Sequence, residues 1–317
     1  ISITNPKGHV ESTTYYFGSD NKGVFGQIKS KIDANGNQIL FEYDGFGRKT
    51  KIIGPYDISS TYGSESYEYV LKGPGLNYIL TRTTEESGTS SCFIKLDFLD
   101  GFGRIIQTVR ESEDPKIFIY VTTNFNARGE IKQISMPYFK DGGLPISYQY
   151  PDNSVKWTRY SYDAIGRVTT IAKPDGTTIN NSYNGWTNIV IDENGHQKTL
   201  IKDAYGRLIT VKEKVATEEF ITNYTYDVLD NLILIKDHYN NKFEFFYDSL
   251  KRRIKMIDPD LGTWIYDYDN NGNLIKTING NGEIINYTYD ELNRIKTKDY
   301  ASQSGIEVIY NYDETTS

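Results

Sequence analysis

The chain has 317 residues, a formal net charge of −7, 38% hydrophobic residues, 27 Tyr against 14 Phe, and a single cysteine. Acidic and basic residues are interspersed, which excludes the electrostatic footprint of a nucleic-acid binder. The lone Cys92 excludes an internal disulfide framework and reads as a small buried residue beside Phe93, and no apolar run is long enough to span a membrane.

Taken in chain order, the sequence is an array. Asn5-Pro6-Lys7-Gly8 reads as the second half of a unit, and Tyr43-Asp44-Gly45-Phe46-Gly47-Arg48 is the first full copy of a Tyr-Asp-x-x-Gly-Arg motif. The next copy is Leu99-Asp100-Gly101-Phe102-Gly103-Arg104, 56 residues after Asp44. Residues 65–84 and 116–123 alternate like strands, so residues 1–160 are expected to form elongated hairpins and insertions within one sheet. A weaker copy begins at Phe125-Asn126, followed by Tyr162-Asp163-Ala164-Ile165-Gly166-Arg167, a second weak copy at Tyr183-Asn184, and Lys202-Asp203-Ala204-Tyr205-Gly206-Arg207. From Asp227 the period is fixed at 21, with starts at Asp248, Asp269 and Asp290. Tyr312-Asp313 is the last pair, and the array is read as one segment, residues 1–317, regular over 161–317 and truncated at both ends.

The position three after the Asp defines the motif physically. It holds Gly47, Gly103, Gly129, Gly166, Gly206 and Gly272, and also Asp230 and Asn293, the residue types that enter left-handed backbone geometry most cheaply. An Asp that bonds its own backbone two residues on, followed by such a residue, predicts a type I turn ending left-handed between antiparallel strands. Lys251 and Thr187 break the rule, and at the latter Gly185 is expected to take over with a shifted turn. The Asp–Arg pairs are expected to be exposed ion pairs worth about 0 to 1 kcal/mol.

A second turn signal falls midway between motifs, at Pro174-Asp175-Gly176, Glu193-Asn194-Gly195, Pro259-Asp260-Leu261-Gly262 and Asn279-Gly280-Asn281-Gly282. Between turns the sequence alternates, as in Ile285, Tyr287 and Tyr289 against Ile284, Asn286 and Thr288. The predicted fold is all-β: tandem antiparallel hairpins, each unit strand, turn, strand, turn. Strands of roughly 7 residues would be about 23 Å long, and about 25 of them side by side would make a sheet on the order of 120 Å wide. Such a sheet must curl, because open twisted sheets rarely exceed roughly 10 strands.

Candidate chemistry fails on inspection. Asp267-x-Asp269-x-Asn271-Gly272 imitates the start of a calcium loop, but its twelfth position is Ile278 where a bidentate Glu is required. His9, His196 and His238 are scattered, and no nucleophile and base are paired. No catalytic, cofactor-binding or metal-binding residue is read from the chain, and no unit carries a polar set distinct from the repeat, which argues against a hydrolase distributed over several units.

The motif, its 21-residue period and the Asp-Pro-Asp-Gly-like turns between copies resemble the RHS or YD repeat family over essentially the whole chain. Leu99-Asp-Gly-Phe-Gly-Arg-Ile-Ile-Gln-Thr108, with Asn124-Phe-Asn-Ala-Arg-Gly-Glu130 and Met136-Pro-Tyr-Phe139, further resembles the B component of bacterial insecticidal toxin complexes, and more distantly the teneurins. The resemblance implies a sheet spiralling into a hollow shell, part of a secreted bacterial toxin, that encloses a cytotoxic C-terminal effector. Its partners would then be the remainder of the shell, the enclosed polypeptide and other toxin-complex subunits, with no nucleic acid. The family's self-cleaving aspartate site belongs to a core that follows the repeats; Asp258-Pro259-Asp260 falls on a regular second turn, and catalysis is not transferred to it. The alternative is an adhesive or carbohydrate-binding repeat surface, which the small Trp count of 3 disfavours.

Overall fold

A computed structural model describes residues 1–4, 8–18, 22–60, 62–71, 77–114, 116–301 and 308–312. The half-unit expected at Asn5-Pro6-Lys7 and the Asp of Tyr312-Asp313 lie outside the described residues. The chain is all-β: successive antiparallel strands, with one 3-10 turn at Pro55–Asp57 and no α-helix among the described residues. It divides into two compact units, Ile1–Ile3 with Glu11–Ile179, and Thr4–Val10 with Asn180–Ser317.

In the second unit each strand pairs with the next in sequence. Strands Thr187–Ile191, Gln197–Lys202, Leu208–Val215, Glu218–Tyr226, Leu232–Lys236 and Lys242–Tyr247 form a meander. It continues through Arg253–Asp258, Gly262–Tyr268, Leu274–Ile278, Ile284–Tyr289 and Ile295–Tyr300. The register sorts side chains by face, because successive residues of a strand point to opposite sides. Tyr224 stands opposite Ile235, Ile235 opposite Phe243, Phe245 opposite Met256, and Met256 opposite Trp264, so one face is aromatic. On the other face Leu234 opposes Glu244, Phe246 opposes Lys255, Asp267 opposes Lys276, and Thr288 opposes Thr297. Few side chains here are truly buried; among the described residues Val211, Asn231 and Thr277 are the ones below a tenth exposed. This is a sheet held by its ladders and neighbour contacts, and among the described residues of this unit no second layer supplies a core.

The first unit is built differently. Its strands Asn77–Thr84, Cys92–Leu99 and Ile117–Phe125 are 8, 8 and 9 residues long. Leu80, Leu96, Phe98, Val109, Phe118, Tyr120 and Tyr138 form a buried cluster, and Leu144 and Val155 of an irregular segment pack against it. The irregular segment has the apolar residues to cover one face of the sheet, and Gln107, wholly buried, fastens it: its Nε2 donates to Thr122 Oγ1 at 2.9 Å and to the Gln149 carbonyl at 2.8 Å, while its Oε1 accepts from Gln149 N at 2.9 Å. Cys92 is half-buried and Phe93 is exposed, a correction, because both lie near the end of a hairpin beyond the cluster.

At the left-handed slot Gly272 has φ +88°, Asp230 +65° and Asn293 +61°. Lys251, expected to be an exception, is left-handed as well at φ +63°. The turn's hydrogen bonds impose the conformation, since Lys251 N donates to the Asp248 carbonyl at 3.0 Å and Asp248 N to the Arg252 carbonyl at 2.9 Å, as in the glycine copies. Thr187 avoids the slot: it begins a strand paired with Asn184, and Gly185 at φ +57° opens a two-residue loop, which is glycine's position in a type II′ turn.

Replacing Gly272 with Val should destabilise its hairpin by about 1 kcal/mol or more, because a β-branched residue is forced to positive φ. Lys251→Val should lose less, since lysine already bears most of that strain, and Lys251→Gly should stabilise by up to about 1 kcal/mol. Denaturant titration compares the three; equal losses for the two valine variants would contradict the slot.

Candidate functional site

The repeated element is a carboxylate clamp at the motif turns that begin with Asp. Asp248 Oδ1 accepts the backbone N–H groups of Leu250 and Arg252, both at 2.9 Å, while Oδ2 accepts Arg252 Nε at 2.6 Å. Asp44 does the same with Phe46 N, Arg48 N and Arg48 Nε at 2.9, 3.0 and 2.7 Å. Asp100 with Arg104, Asp163 with Arg167, Asp203 with Arg207 and Asp290 with Arg294 repeat the pattern. The left-handed residue between them, Gly47, Gly103, Gly166, Gly206 or Asn293, turns the chain so that the fifth residue's N–H and side chain reach one carboxylate. In strand terms each clamp is a type I turn closed by a bulge: the register slips at Tyr247, which pairs with Arg253, and at Tyr268, which pairs with Leu274.

The arginine is more than an exposed partner. In the Arg48–Asp44 pair the side chains retain only 32% and 21% of their accessibility, and both Nε and Nη2 bond Oδ2. At Arg48, Arg104, Arg207, Arg252 and Arg294 the guanidinium also lies over a ring beyond its own turn. Arg252 Cζ lies 4.9 Å from the Tyr268 ring centroid and its Nη1 donates to the Asp269 carbonyl at 3.1 Å. Arg104 covers Phe125 at 4.2 Å, and Arg207 covers Tyr226 at 5.2 Å while pairing with Asp230 at 2.8 Å. The motif tyrosine closes the same joint, its hydroxyl donating to the carbonyl of the residue just after the preceding clamp. Tyr226 bonds Leu208, Tyr247 bonds Leu232, Tyr268 bonds Arg253 and Tyr289 bonds Leu274, at 2.8 to 3.0 Å.

Sequence reasoning treated the second turns as a separate type, and there the structure adds to it. Asp33 with Asn37, Asp237 with Asn241, and Asp192 with His196 form the same clamp, with Asn or His replacing Arg. Asn279 with Glu283, and Asn126 with Glu130 at a motif turn, reverse the polarity, an amide donating to a carboxylate. The signal was present: an Asp or Asn with a left-handed residue three on and a complementary side chain four on. Asp269, the middle of the calcium-like string, is a clamp too, accepting Asn271 N, Asn273 N and Asn273 Nδ2, while Asp267 lies 3.8 Å from Lys276. Asp258 Oδ1 accepts Asp260 N and Leu261 N in an ordinary turn. Among the described residues no cluster of three His, Cys, Asp or Glu side chains could hold a metal ion.

The hydrogen bonds set the carboxyl groups' acidity. At Asp248 and Asp163 the backbone N–H of the fifth residue, then its guanidinium, holds the carboxyl below the usual carboxylate range against partial burial. At Asp44, Asp100, Asp203 and Asp290 burial acts first and upward, and the arginine and backbone bonds together outweigh it.

The RHS Repeat family model matches residues 24–57, 141–178 and 268–304. Among solved structures, a crystal structure of TcdB2-TccC3 aligns with a TM-score of 0.68 at 18% identity, covering 96% of this chain and 19% of that one. A crystal structure of TcdB2-TccC3-Cdc42 gives 0.67 at 16% identity, over 95% of this chain and 21% of that one. A Tc holotoxin pore of Photorhabdus luminescens, with a substitution in TccC3, gives 0.64 at 16% identity over 94% and 20%. The chain therefore spans about a fifth of the length of the structures it matches. No curated protein sequence matches it. The resemblance to RHS repeats and to toxin-complex proteins, read first from the motif, is borne out, and the shared fold is that of these structures.

Because the clamp carboxyls are held below their unfolded values, their stabilisation is fully present above the unfolded carboxylate range and is lost as pH falls through the folded pKa. The melting temperature should be flat from about pH 8 to about pH 5 and fall steeply below about pH 4. Thermal melts across that range check this; a fall beginning near neutral pH would contradict it.

Proposed function

We propose that the chain is a wall segment of a secreted bacterial RHS-repeat toxin, a stretch of β-sheet shell around a cytotoxic C-terminal effector, and that residues 1–317 are one repeat segment of that wall. The observation that carries this reading is the joint between repeats. The Asp, Arg and Tyr that recur along the chain are consumed in holding one hairpin to the next, which is what a wall needs and a catalytic site does not. The fold match over 96% of the chain to a toxin-complex structure supports it. A wall of this kind contains and does not transform: its clamp carboxylates already have their hydrogen bonds filled, so none is poised as a general acid or base. The likeness to complexes of several chains supports other toxin-complex subunits as partners, and a secreted protein as the context.

Limited proteolysis of the complete reading frame that contains these repeats tests the reading. The segment following the repeats should resist protease while the repeats are folded, and become cleavable when Asp248→Ala and Arg252→Ala are combined with their equivalents at Asp203 and Asp290. Equal cleavage of that segment in the native and denatured protein would contradict enclosure.

A further inference from the structure

The irregular segment that covers the buried cluster of the first unit also walls a cavity. Gln107 holds Gln149 by both its backbone groups, accepting from the N–H at 2.9 Å and donating to the carbonyl at 2.8 Å, so the residues on either side are set in place. Those residues are Tyr148 and Tyr150, whose ring centroids lie 5.0 Å apart with their planes at 79°. Lys140 Nζ adds a bond to the Tyr150 carbonyl at 2.8 Å. The Tyr150 side chain is nonetheless 82% exposed, so packing against the core does not account for it.

The strand Trp157–Tyr162 supplies another wall, with Trp157 opposite Ser135 and Arg159 opposite Gln133. Trp157 and Arg159, two apart on one strand, point to the same face. Together with Tyr148, Tyr150 and Asp152 they line a cavity of about 480 Å³, a volume that suits a small ligand. Two opposite charges share this cavity without meeting: among the described residues no salt bridge joins Arg159 to Asp152 or to any other carboxylate. The Ser154 hydroxyl and N–H hold the Asp152 carboxyl below the usual carboxylate range, so it is ionised at neutral pH.

We propose that this cavity binds phosphocholine. A quaternary ammonium has no N–H to donate, and it is held by the faces of aromatic rings with a negative charge nearby. Tyr148 and Tyr150, set nearly at right angles, and Trp157 supply the ring surface, and Asp152 supplies the charge. The phosphate then falls to Arg159, whose planar fork is unspent and matches phosphate oxygens. The lining therefore asks for a ligand that carries both signs. Phosphate alone would meet the rings and Asp152, and a plain cation would leave Arg159 unanswered beside it. The site lies outside the clamps and does not depend on an enclosed effector.

Isothermal titration of the full 317-residue chain with phosphocholine, choline, phosphoethanolamine and inorganic phosphate tests the assignment. Phosphocholine should bind saturably and inorganic phosphate should not. Choline, lacking the phosphate, and phosphoethanolamine, whose primary ammonium is more strongly hydrated, should each bind about tenfold more weakly. Tyr150→Ala removes a mostly exposed ring, so the fold should survive, as circular dichroism checks, while phosphocholine and choline both weaken about tenfold. Arg159→Gln should bring phosphocholine down to the affinity of choline and leave choline unchanged. Flotation with phosphatidylcholine and phosphatidylglycerol vesicles separates the two sources of the group: association with the former alone identifies a lipid headgroup, and binding of soluble phosphocholine without vesicle association identifies a soluble ligand. No saturable phosphocholine binding, equal affinity for phosphoethanolamine, or affinity unchanged in Tyr150→Ala would overturn the proposal.

Discussion

A carboxylate that gathers two backbone N–H groups and a guanidinium is the interaction on which the second unit depends. Without a buried layer, the usual source of stability, roughly 25 cal/mol per Å² of apolar surface removed from water, is thin. Among its described residues only Val211, Asn231 and Thr277 are truly buried. Charge-assisted hydrogen bonds are stronger than neutral ones, the more so where they are sheltered from solvent. Repeated at many of the turns, they fix where those strands reverse and therefore the register of the next. Register in turn decides which face is aromatic.

The clamp would stabilise only single hairpins if the arginine stopped at its aspartate. By lying over the next repeat's tyrosine, and with that tyrosine's hydroxyl bonded back across the joint, it makes each hairpin's geometry a condition for its neighbour's. Stability then accumulates as a sum of local units and nearest-neighbour joints, as in other repeat proteins. The first unit uses both this device, at Asp44 and Asp100, and a packed cluster under an irregular segment pinned by Gln107.

Much of the fold was legible because its information is local. Glycine three after an aspartate and alternation between turns are short-range signals, and the turns they predicted stand where they were read. What escaped was non-local or imposed from outside the residue. Lys251 looked wrong for its slot because propensity describes lysine alone, whereas the hydrogen bonds of the turn fix its backbone. The clusters around Leu96 and Val109 depend on an irregular segment some forty residues away folding back, which no periodicity announces. The clamp at Asp33, Asp192 and Asp237 was missed because Asn and His replaced the expected Arg.

If neighbouring hairpins are coupled through the arginine and tyrosine, that coupling is measurable directly. A double-mutant cycle of Arg252→Gln and Tyr268→Leu, read by native-state hydrogen exchange of the amides in Gly262–Tyr268 and Leu274–Ile278, isolates the joint from the effects of each side chain alone. The account predicts an interaction energy of at least about 0.5 kcal/mol, with the double mutant less destabilised than the sum of the singles. Losses additive to within about 0.3 kcal/mol would show that the hairpins stand independently and that the clamp holds nothing beyond its own turn.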